Sequence, residues 1–598
     1  MVRDIPSFID RLRQEREIVE IDAEVDPSLE MAEIHRRVIA AGGPALLFKR
    51  PKGYGIPVVT NLFGTKKRVD LCFGPRPREF VERSVRLAHE LMPPTFGKLW
   101  ANRDWIQQGM RVGTRRVGSG PVTQVVQNGG GLNQIPMLKS WPEDGGDFVT
   151  LPLVYTEHPV TGVHNLGMYR IQRHSDSTTG MHWQIGKGGG FHHKVAQERG
   201  EDLPVTIFVG GPPALIVSAV APLPENVPEL LLASLLAGER LDLAANPAGP
   251  HGLVAGCEFA LVGRVRPNEV APEGPFGDHY GYYSLKHDYP VFHLDALCSR
   301  KDAVWPATVV GKPRQEDLFI GDYLQELLAP MFPMVMPSVK DLWSYGETGY
   351  HALAGAVVEE RYRREAMQAA LRILGEGQLA LTKFLWVTDK PVDLRNGRAT
   401  LEHLLARFRP ETDLYVLSNL SMDTLDYTGP EVNLGSKGIL LGLGDPWREL
   451  PREFRGALPS GATKAIPFCA GCLVVEGPGH AQDPGFAQHV ARQFPEWPMV
   501  VLVDDAVQAT RTPTRFLWTT FMRFEPAADL YSAEVEVARN HLVRKGTIVF
   551  DARLKVGYPG ELFCDDLTRR TVDQRWAEYF PGGNVEMGDS DAGHLDQA

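Results

Sequence analysis

Between about residue 119 and residue 318 the chain carries a series of short apolar runs: FVTLPLVYT, HNLGMYRIQ, LPVTIFVGG, CEFALVGRV, YPVFHLDAL and WPATVVG, separated by Gly, Pro and Asp turns. Runs of this length, rich in Val, Phe and Tyr and bounded by turn formers, read as strands. Their number and close spacing fit a barrel or a sandwich better than a doubly wound sheet. One helix interrupts them: residues 227–238, VPELLLASLLAG, have a proline near the first turn and a glycine as the stop.

The flanks read differently. Residues 5–15 set Phe8, Ile9 and Leu12 on one helical face, and residues 27–41 do the same with Leu29, Ile34 and Val38. ALLF (45–48) and PVVTNLF (57–63) then read as strands. Residues 356–374 are helical by spacing and composition, and beyond them strands and helices alternate from LALTKFLWVT to TIVFDARLK, with no internal repeat of fixed period. At 598 residues several cores are required. The expected architecture is α/β (α+β) in five parts: an N-terminal α/β region over 1–118, a barrel-like domain over 119–318, a helical linker over 319–375, a second α/β domain over 376–582, and a polar, disordered tail over 583–598.

A formal charge of −11 argues against a sequence-independent nucleic-acid binder, which needs a basic face. No apolar run reaches the length of a membrane span, and the charged start MVRDIPSFIDRLRQ lacks a signal-peptide core, so a cytoplasmic location is expected. The six cysteines are scattered, and the lone CxxC of Cys469 and Cys472 lacks the second ligand pair of a zinc site.

The chemistry concentrates in APEGPFGDHYGYY, residues 271–283. Pro275 with Gly274 and Gly277 makes a tight, rigid turn that aims Glu273 and Asp278. An isolated ExxxxD is more often an ordinary polar loop. If the two acids meet among Phe276, Tyr280, Tyr282 and Tyr283, one of them should keep its proton closer to neutral pH and serve as a donor. Asn165 and Arg170 stand five apart in HNLGMYR, which puts them on opposite strand faces unless Gly167 lets the strand bend. His182, Trp183 and Gln184 precede GKGGGFHH, where Lys187 sits among glycines ahead of a helix expected at 191–199. Such a loop suits a phosphate or carboxylate, though a plain glycine turn reads equally well. Glu229, in the first turn of the 227–238 helix, either answers the helix N-terminus or joins Asn165 around a hard cation. Lys437 lies in a second Gly and Ser loop, NLGSKG, where a solvated lysine is the plain alternative.

Taken in order, NLGMYR, TTGMHWQxxKGG, APLPExxxE, EGPFGDHYGYYS with DYPVFH, ATVVGKP and GSKG resemble the UbiD family of prenylated-FMN-dependent decarboxylases. WPEDGGDF with LPLVYTEHPVTG resembles the branch acting on aromatic acids of quinone pathways. The resemblance runs from DIPSFIDRL to Lys437. It implies an N-terminal α/β portion, a split β-barrel that binds the flavin, and a C-terminal domain that mediates homo-oligomers, as a homodimer or homohexamer.

The resemblance also implies site roles. Asn165 and Glu229 match ligands of Mn2+ or another divalent cation, and K+ is expected near Ser218 and Ala219. Met168, Tyr169, Arg170, His182, Trp183, Gln184, Lys187, Gly188 and Lys437 match cofactor-contacting positions. Where some members have a histidine as third metal ligand this chain has Lys187, which leaves His182 as a candidate. Arg170, Glu273 and Asp278 match the catalytic arginine and two acids, with Asp278 the proton donor. The implied activity is reversible, non-oxidative decarboxylation of a small aromatic carboxylic acid to CO2 by a carboxy-lyase, with a flavin prenyltransferase supplying the cofactor. The alternatives are a split-barrel flavin reductase, a non-catalytic flavin-binding component of a carboxylase assembly, and a cation-dependent lyase without flavin.

Overall fold

The structure, a computed structural model, describes residues 2–90, 95–104, 111–183, 188–221, 228–589 and 595. It divides into two compact units, residues 1–327 with 561–594, and residues 328–560 with 595–598.

The first unit opens with α1 (Ile5–Gln14), β1 (Ile18–Val25), α2 (Glu30–Ala40), β2 (Ala45–Pro51) and β3 (Val58–Thr60). Asp4 caps α1 by accepting from Ser7 N, and Phe8, Ile9 and Leu12 are buried on the face that their spacing predicts. The three strands form a sheet with Trp305–Pro306 on its far edge.

The centre of the unit is a seven-stranded sheet. Its strands are β4 (Val125–Asn128), β5 (Pro152–Glu157), β6 (His164–Gly167), β7 (Thr178–Gly180), β8 (Leu203–Val209), β9 (Phe259–Glu273) and β10 (His287–Ser299). The order is β7-β10-β9-β8-β5-β6, with β4 also on β10, and every pairing is antiparallel. The expected mixed α/β fold with a strand-rich centre is therefore present. The glycine stretch opens α3 (Gly188–Arg199), and α4 (Pro213–Val220) follows β8. The helix read at 227–238 is α5 (Glu229–Ala237), which stops where Gly238 takes a left-handed φ of 73° and its N–H closes on Ser234 O at 2.8 Å.

The second unit holds two five-stranded sheets of identical topology. The first is built from β11 (Val339–Ser344), β12 (Leu353–Val358), β13 (Phe384–Thr388), β14 (Leu414–Ser421) and β15 (Leu434–Gly442), in the order β11-β12-β13-β15-β14. The second is built from β16 (Lys464–Cys469), β17 (Cys472–Glu476), β18 (Met499–Val503), β19 (Leu530–Ala538) and β20 (His541–Asp551), in the order β16-β17-β18-β20-β19. In both the two central pairings are parallel and the two outer ones antiparallel. The second unit thus repeats one strand order and direction, although no residue repeat reveals it. Register aligns the copies: Phe384 opens β13 opposite Gly438, and Met499 opens β18 opposite Ile548, so Lys437 corresponds to Thr547. The copies meet at Phe384, whose ring lies 5.5–5.8 Å from Phe521, Phe524 and Phe550.

Three parts of the expected organisation differ. Residues 319–375 are not a helical linker, because they contain β11 and β12. LAGAVV (353–358) is buried along its whole length, and a continuously apolar run carries no period that separates strand from helix. Residues 561–582 leave the second α/β domain: the helix Asp566–Tyr579 packs on the first unit, with Asp573 3.0 Å from Arg37 and with Arg575 and Tyr579 both bonded to Glu30. The start of the polar tail is ordered as well, since Val585 is buried and its carbonyl accepts from Trp576 Nε1, while Gly588 N donates to Arg37 O. Cys469 and Cys472 are buried free thiols facing each other across the β16–β17 turn.

Candidate active site

β9 and β10 are the two longest strands of the central sheet, and the EGPFGD turn is the start of their connection. Glu273 ends β9, and Gly274 follows at φ +91°, a conformation that L side chains resist, before a cis peptide to Pro275. Phe276–Gly277 pairs with Tyr283–Ser284, and Asp278 N donates to Tyr282 O at 3.1 Å. Both acids are thereby fixed by backbone.

Arg170, between β6 and the short strand Ile171–Gln172, closes the site. Its Nε donates to Glu273 Oε1 at 2.9 Å, and one terminal nitrogen donates to Glu273 Oε2 at 3.1 Å and Ser284 Oγ at 2.8 Å. The other terminal nitrogen donates to Asp278 Oδ2. The Phe276 ring lies 4.8 Å from the guanidinium. His182 Nδ1 stands 3.0 Å from Glu273 Oε2, with Tyr289 packed against its ring at 4.3 Å. His279 directs both its backbone N–H and its Nδ1 to Asp278 Oδ1, each at 2.7 Å.

These contacts reverse the expectation that one acid keeps its proton near neutral pH. Burial pushes Glu273 up, but the Arg170 charge and the hydrogen bonds from His182 and Arg170 more than offset it, pulling the carboxyl down to about 2. Asp278 behaves alike: burial raises it, while His279 and Arg170 together hold it far below the usual carboxylate range. The sequence shows the two acids near one another but not the cation between them. Burial and the Arg170 charge lower His182, so the ring beside Glu273 is neutral near pH 7.

Asp144, in WPEDGGDF, has a part that local reading missed. Its Oδ1 accepts from Gly277 N at 2.7 Å, and its Oδ2 accepts from Ser140 N at 2.9 Å and Trp141 N at 2.8 Å. Gly145 N donates to Pro275 O at 2.8 Å, and Gln172 Oε1 accepts from Gly274 N at 2.8 Å. The segment 140–145 and Gln172 thus clamp the acid turn. A single acid followed by two glycines was the only local signal.

Glu229 reaches the backbone beside Asn165 at the edge of the sheet. Asn165 lies on β6, and the N–H of the next residue, Leu166, donates to Glu229 Oε2 at 3.1 Å. Glu229 also takes its own N–H at the start of α5, and burial raises its carboxyl. Gly188 and Gly189 approach closely: a Cβ would stand 2.1 Å from Asn165 Oδ1 at the first and 2.7 Å from Trp183 Nε1 at the second. Tyr169 is buried here, near Asn165 and Gly189, and its hydroxyl is pushed up to about 12 by burial. Asn165 Nδ2, Trp183 Nε1 and His182 Nε2 are buried without hydrogen-bond partners, which fits a polar group bound against them.

The remaining expected residues spread further. Met168 is half-buried against the apolar core of the unit. Ser218 is buried on α4 and donates to Ala214 O at 2.7 Å, with Ala219 beside it. Lys437 belongs to the second unit, where Nζ donates to Ala380 O at 2.7 Å and Thr382 O at 2.9 Å and burial lowers it to about 8. Gln184 and Lys187 lie outside the described residues. His182 is tied to Glu273, and among the described residues no three His, Cys, Asp or Glu side chains gather into a metal-sized cluster. Asn165 and Glu229 alone give three side-chain oxygens, fewer than the six or so a hard cation takes.

The UbiD model, described as the 3-octaprenyl-4-hydroxybenzoate carboxy-lyase Rift-related domain, matches residues 115–313, which span the central sheet and the Arg170 cluster. The corresponding N-terminal domain matches residues 9–88, and the C-terminal domain matches 318–442, ending on the last residue of β15. The chain belongs to the UbiD family.

Among its relatives, an uncharacterized protein of Chlamydia trachomatis is 49% identical over 584 residues, 96% of this chain and 99% of that protein. A Chlamydia pneumoniae protein, named as one component of a 4-hydroxybenzoate decarboxylase, is 46% identical over 573 residues, 96% of this chain and 98% of its own. Among solved structures, the closed form of vanillic acid decarboxylase from Sedimentibacter hydroxybenzoicus shares the fold at a TM-score of 0.66 and 22% identity, covering 77% of this chain and 96% of that one. The UbiD-class enzyme HmfF of Pelotomaculum thermopropionicum, in complex with FMN, does so at 0.62 and 22%, covering 76% and 97%.

Proposed function

We propose that the protein is a carboxy-lyase that reversibly decarboxylates a small aromatic carboxylic acid with prenylated FMN. The observation that carries this reading is Arg170 bonded at once to Glu273 and Asp278 in a buried, backbone-fixed turn. Prenylated FMN, when bound, supplies the electron sink for the ring carbon that loses its carboxyl group. Residues that would hold it are Met168, Tyr169, Arg170, His182, Trp183 and Gly188, with Gln184 and Lys187. Asn165 and Glu229 would hold a divalent cation, manganese by the resemblance, and Ser218 and Ala219 a potassium ion. In HmfF, an evolved dimeric form was solved in complex with prFMN, which supports the cofactor by analogy.

The chain's own part is charge control. Glu273 grips Arg170 through two nitrogens and Asp278 through one, so Asp278 is the more easily displaced partner. A substrate carboxylate competing for Arg170 takes that cation from Asp278. Burial then acts on Asp278 with less opposition and raises its proton affinity. Asp278 becomes a loaded acid once substrate is in place, and it delivers its proton to the ring carbon after CO2 leaves. Glu273 stays ionised throughout and keeps the guanidinium oriented.

The deciding experiment is co-expression with a flavin prenyltransferase, followed by the absorption spectrum and mass of the bound cofactor and by CO2 release from a panel of hydroxybenzoates. Prenylated FMN with CO2 release supports the reading. NAD(P)H oxidation without CO2 release would move the assignment to a flavin reductase.

A further inference from the structure

Asp278 needs a new proton after every turnover, and its side chain is nearly sealed, with 11% exposure. Of its two oxygens, Oδ2 faces Arg170, which cannot give up a proton near neutral pH. Oδ1 faces His279 twice, through the backbone N–H and through Nδ1. An ionised carboxylate only accepts, so Nδ1 carries the hydrogen. The His279 side chain is 25% exposed, more open than the acid it serves. The Tyr280 ring stacks edge-on against it at 4.8 Å. In the first turn of the helix Glu316–Leu328, burial raises the Asp317 carboxyl, and charge on His279 acts against that rise.

We infer that His279 is the residue through which Asp278 regains its proton from solvent. In each cycle Asp278 gives its proton to the substrate carbon. The Nδ1 proton of the neutral His279 ring then passes to Asp278 Oδ1 as Nε2 takes one proton from solvent hydronium, and exchange with water returns the ring hydrogen to Nδ1. No oxidant or further reactant enters. His279 acts through Asp278 and does not touch the reacting carbon, so it is a positioning and proton-supplying residue. This inference rests on the decarboxylase reading of the same site.

The test is His279→Asn, whose amide can still donate to Asp278 Oδ1 but cannot carry a proton through. In prenylated-FMN-loaded protein, the steady-state rate should fall by at least about tenfold, below what a fully positioned acid contributes. The first turnover after mixing should slow as well, because Asp278 is ionised before substrate binds; KM should stay within about twofold, and added imidazole should restore part of the rate. A rate loss that added imidazole does not restore would mean a purely structural role and overturn the inference; so would an unchanged steady state. A second readout needs no cofactor: in protein labelled with 15N-histidine, the His279 Nδ1 proton should appear at low field and vanish in Asp278→Asn. Its absence from the parent overturns the link between the two residues. A parent that shows the signal but decarboxylates nothing sinks the decarboxylase reading instead.

Discussion

Replacing Asp144 by Asn separates the turn's position from the acids' chemistry. The carboxylate accepts three backbone hydrogen bonds, two on Oδ2 and one on Oδ1. An amide has one accepting oxygen. Placed at Oδ2 it keeps Ser140 and Trp141 but turns its NH2 toward Gly277 N, whereas placed at Oδ1 it loses two bonds to keep one. The first arrangement is favoured, so the substitution unpins Gly277, the neighbour of Asp278. Losing one buried hydrogen bond to a charged acceptor costs about 1.5–3 kcal/mol. Part of this is returned, since burial already pushes the Asp144 carboxyl up to about 7 and the amide buries no charge. The expected net loss of stability is about 1 kcal/mol, while a shift of about 1 Å in the acid turn costs roughly a hundredfold in turnover. Denaturant unfolding and CO2 release, measured on the same loaded preparations, should show that disproportion. Asp144→Ala should lose several times more stability, because three buried N–H groups are left without an acceptor. An Asp144→Asn protein with parental turnover would falsify the clamp, and would leave the Gly145 and Gln172 contacts as the ones that hold the turn.

Further outcomes are expected. Asp278→Asn should keep its fold and bind flavin but lose at least about a hundredfold in turnover, together with incorporation of solvent deuterium into the product ring; near-parental decarboxylation would move the donor role to Glu273. Glu273, held at about 2 against an ordinary 4.5, contributes stability that is fully present above pH 4.5 and is lost as pH falls toward 2. Glu273→Gln should lack that component, so the parent's advantage in unfolding midpoint should shrink between pH 5 and pH 2, and an advantage independent of pH counts against the ion pair. Glu229→Ala should lose divalent metal and most of the flavin together, and elemental analysis with absorbance showing both retained would remove Glu229 from the cation site. Light scattering should find a homo-oligomer, with a homodimer as the first expectation and a homohexamer next; a monomer at micromolar concentration contradicts this.

Much of the site could be read directly because it is local. Gly274, Pro275 and Gly277 bend the chain wherever they occur, so the aim of Glu273 and Asp278 was visible in thirteen residues. The α5 stop at Gly238 and the buried face of α1 are equally local, set by backbone freedom and by the helical period. The order of the rare motifs sufficed to place the chain among its relatives.

Tertiary structure decided what depends on partners far along the chain. The charge state of the acids is set by Arg170, over a hundred positions before them, and the hold on their turn by Asp144, more than a hundred and thirty positions before Gly277. Neither distance leaves a trace in local pattern. The helix Asp566–Tyr579 returns to the first unit because Glu30 and Arg37 offer it charged partners, which no reading of residues 561–582 alone discloses. The repeated topology of the second unit is hidden for another reason. What repeats is the order and direction of five strands with buried central ones, and any apolar, β-branched run satisfies a buried parallel strand, so the two copies keep their topology while Lys437 in one stands where Thr547 stands in the other.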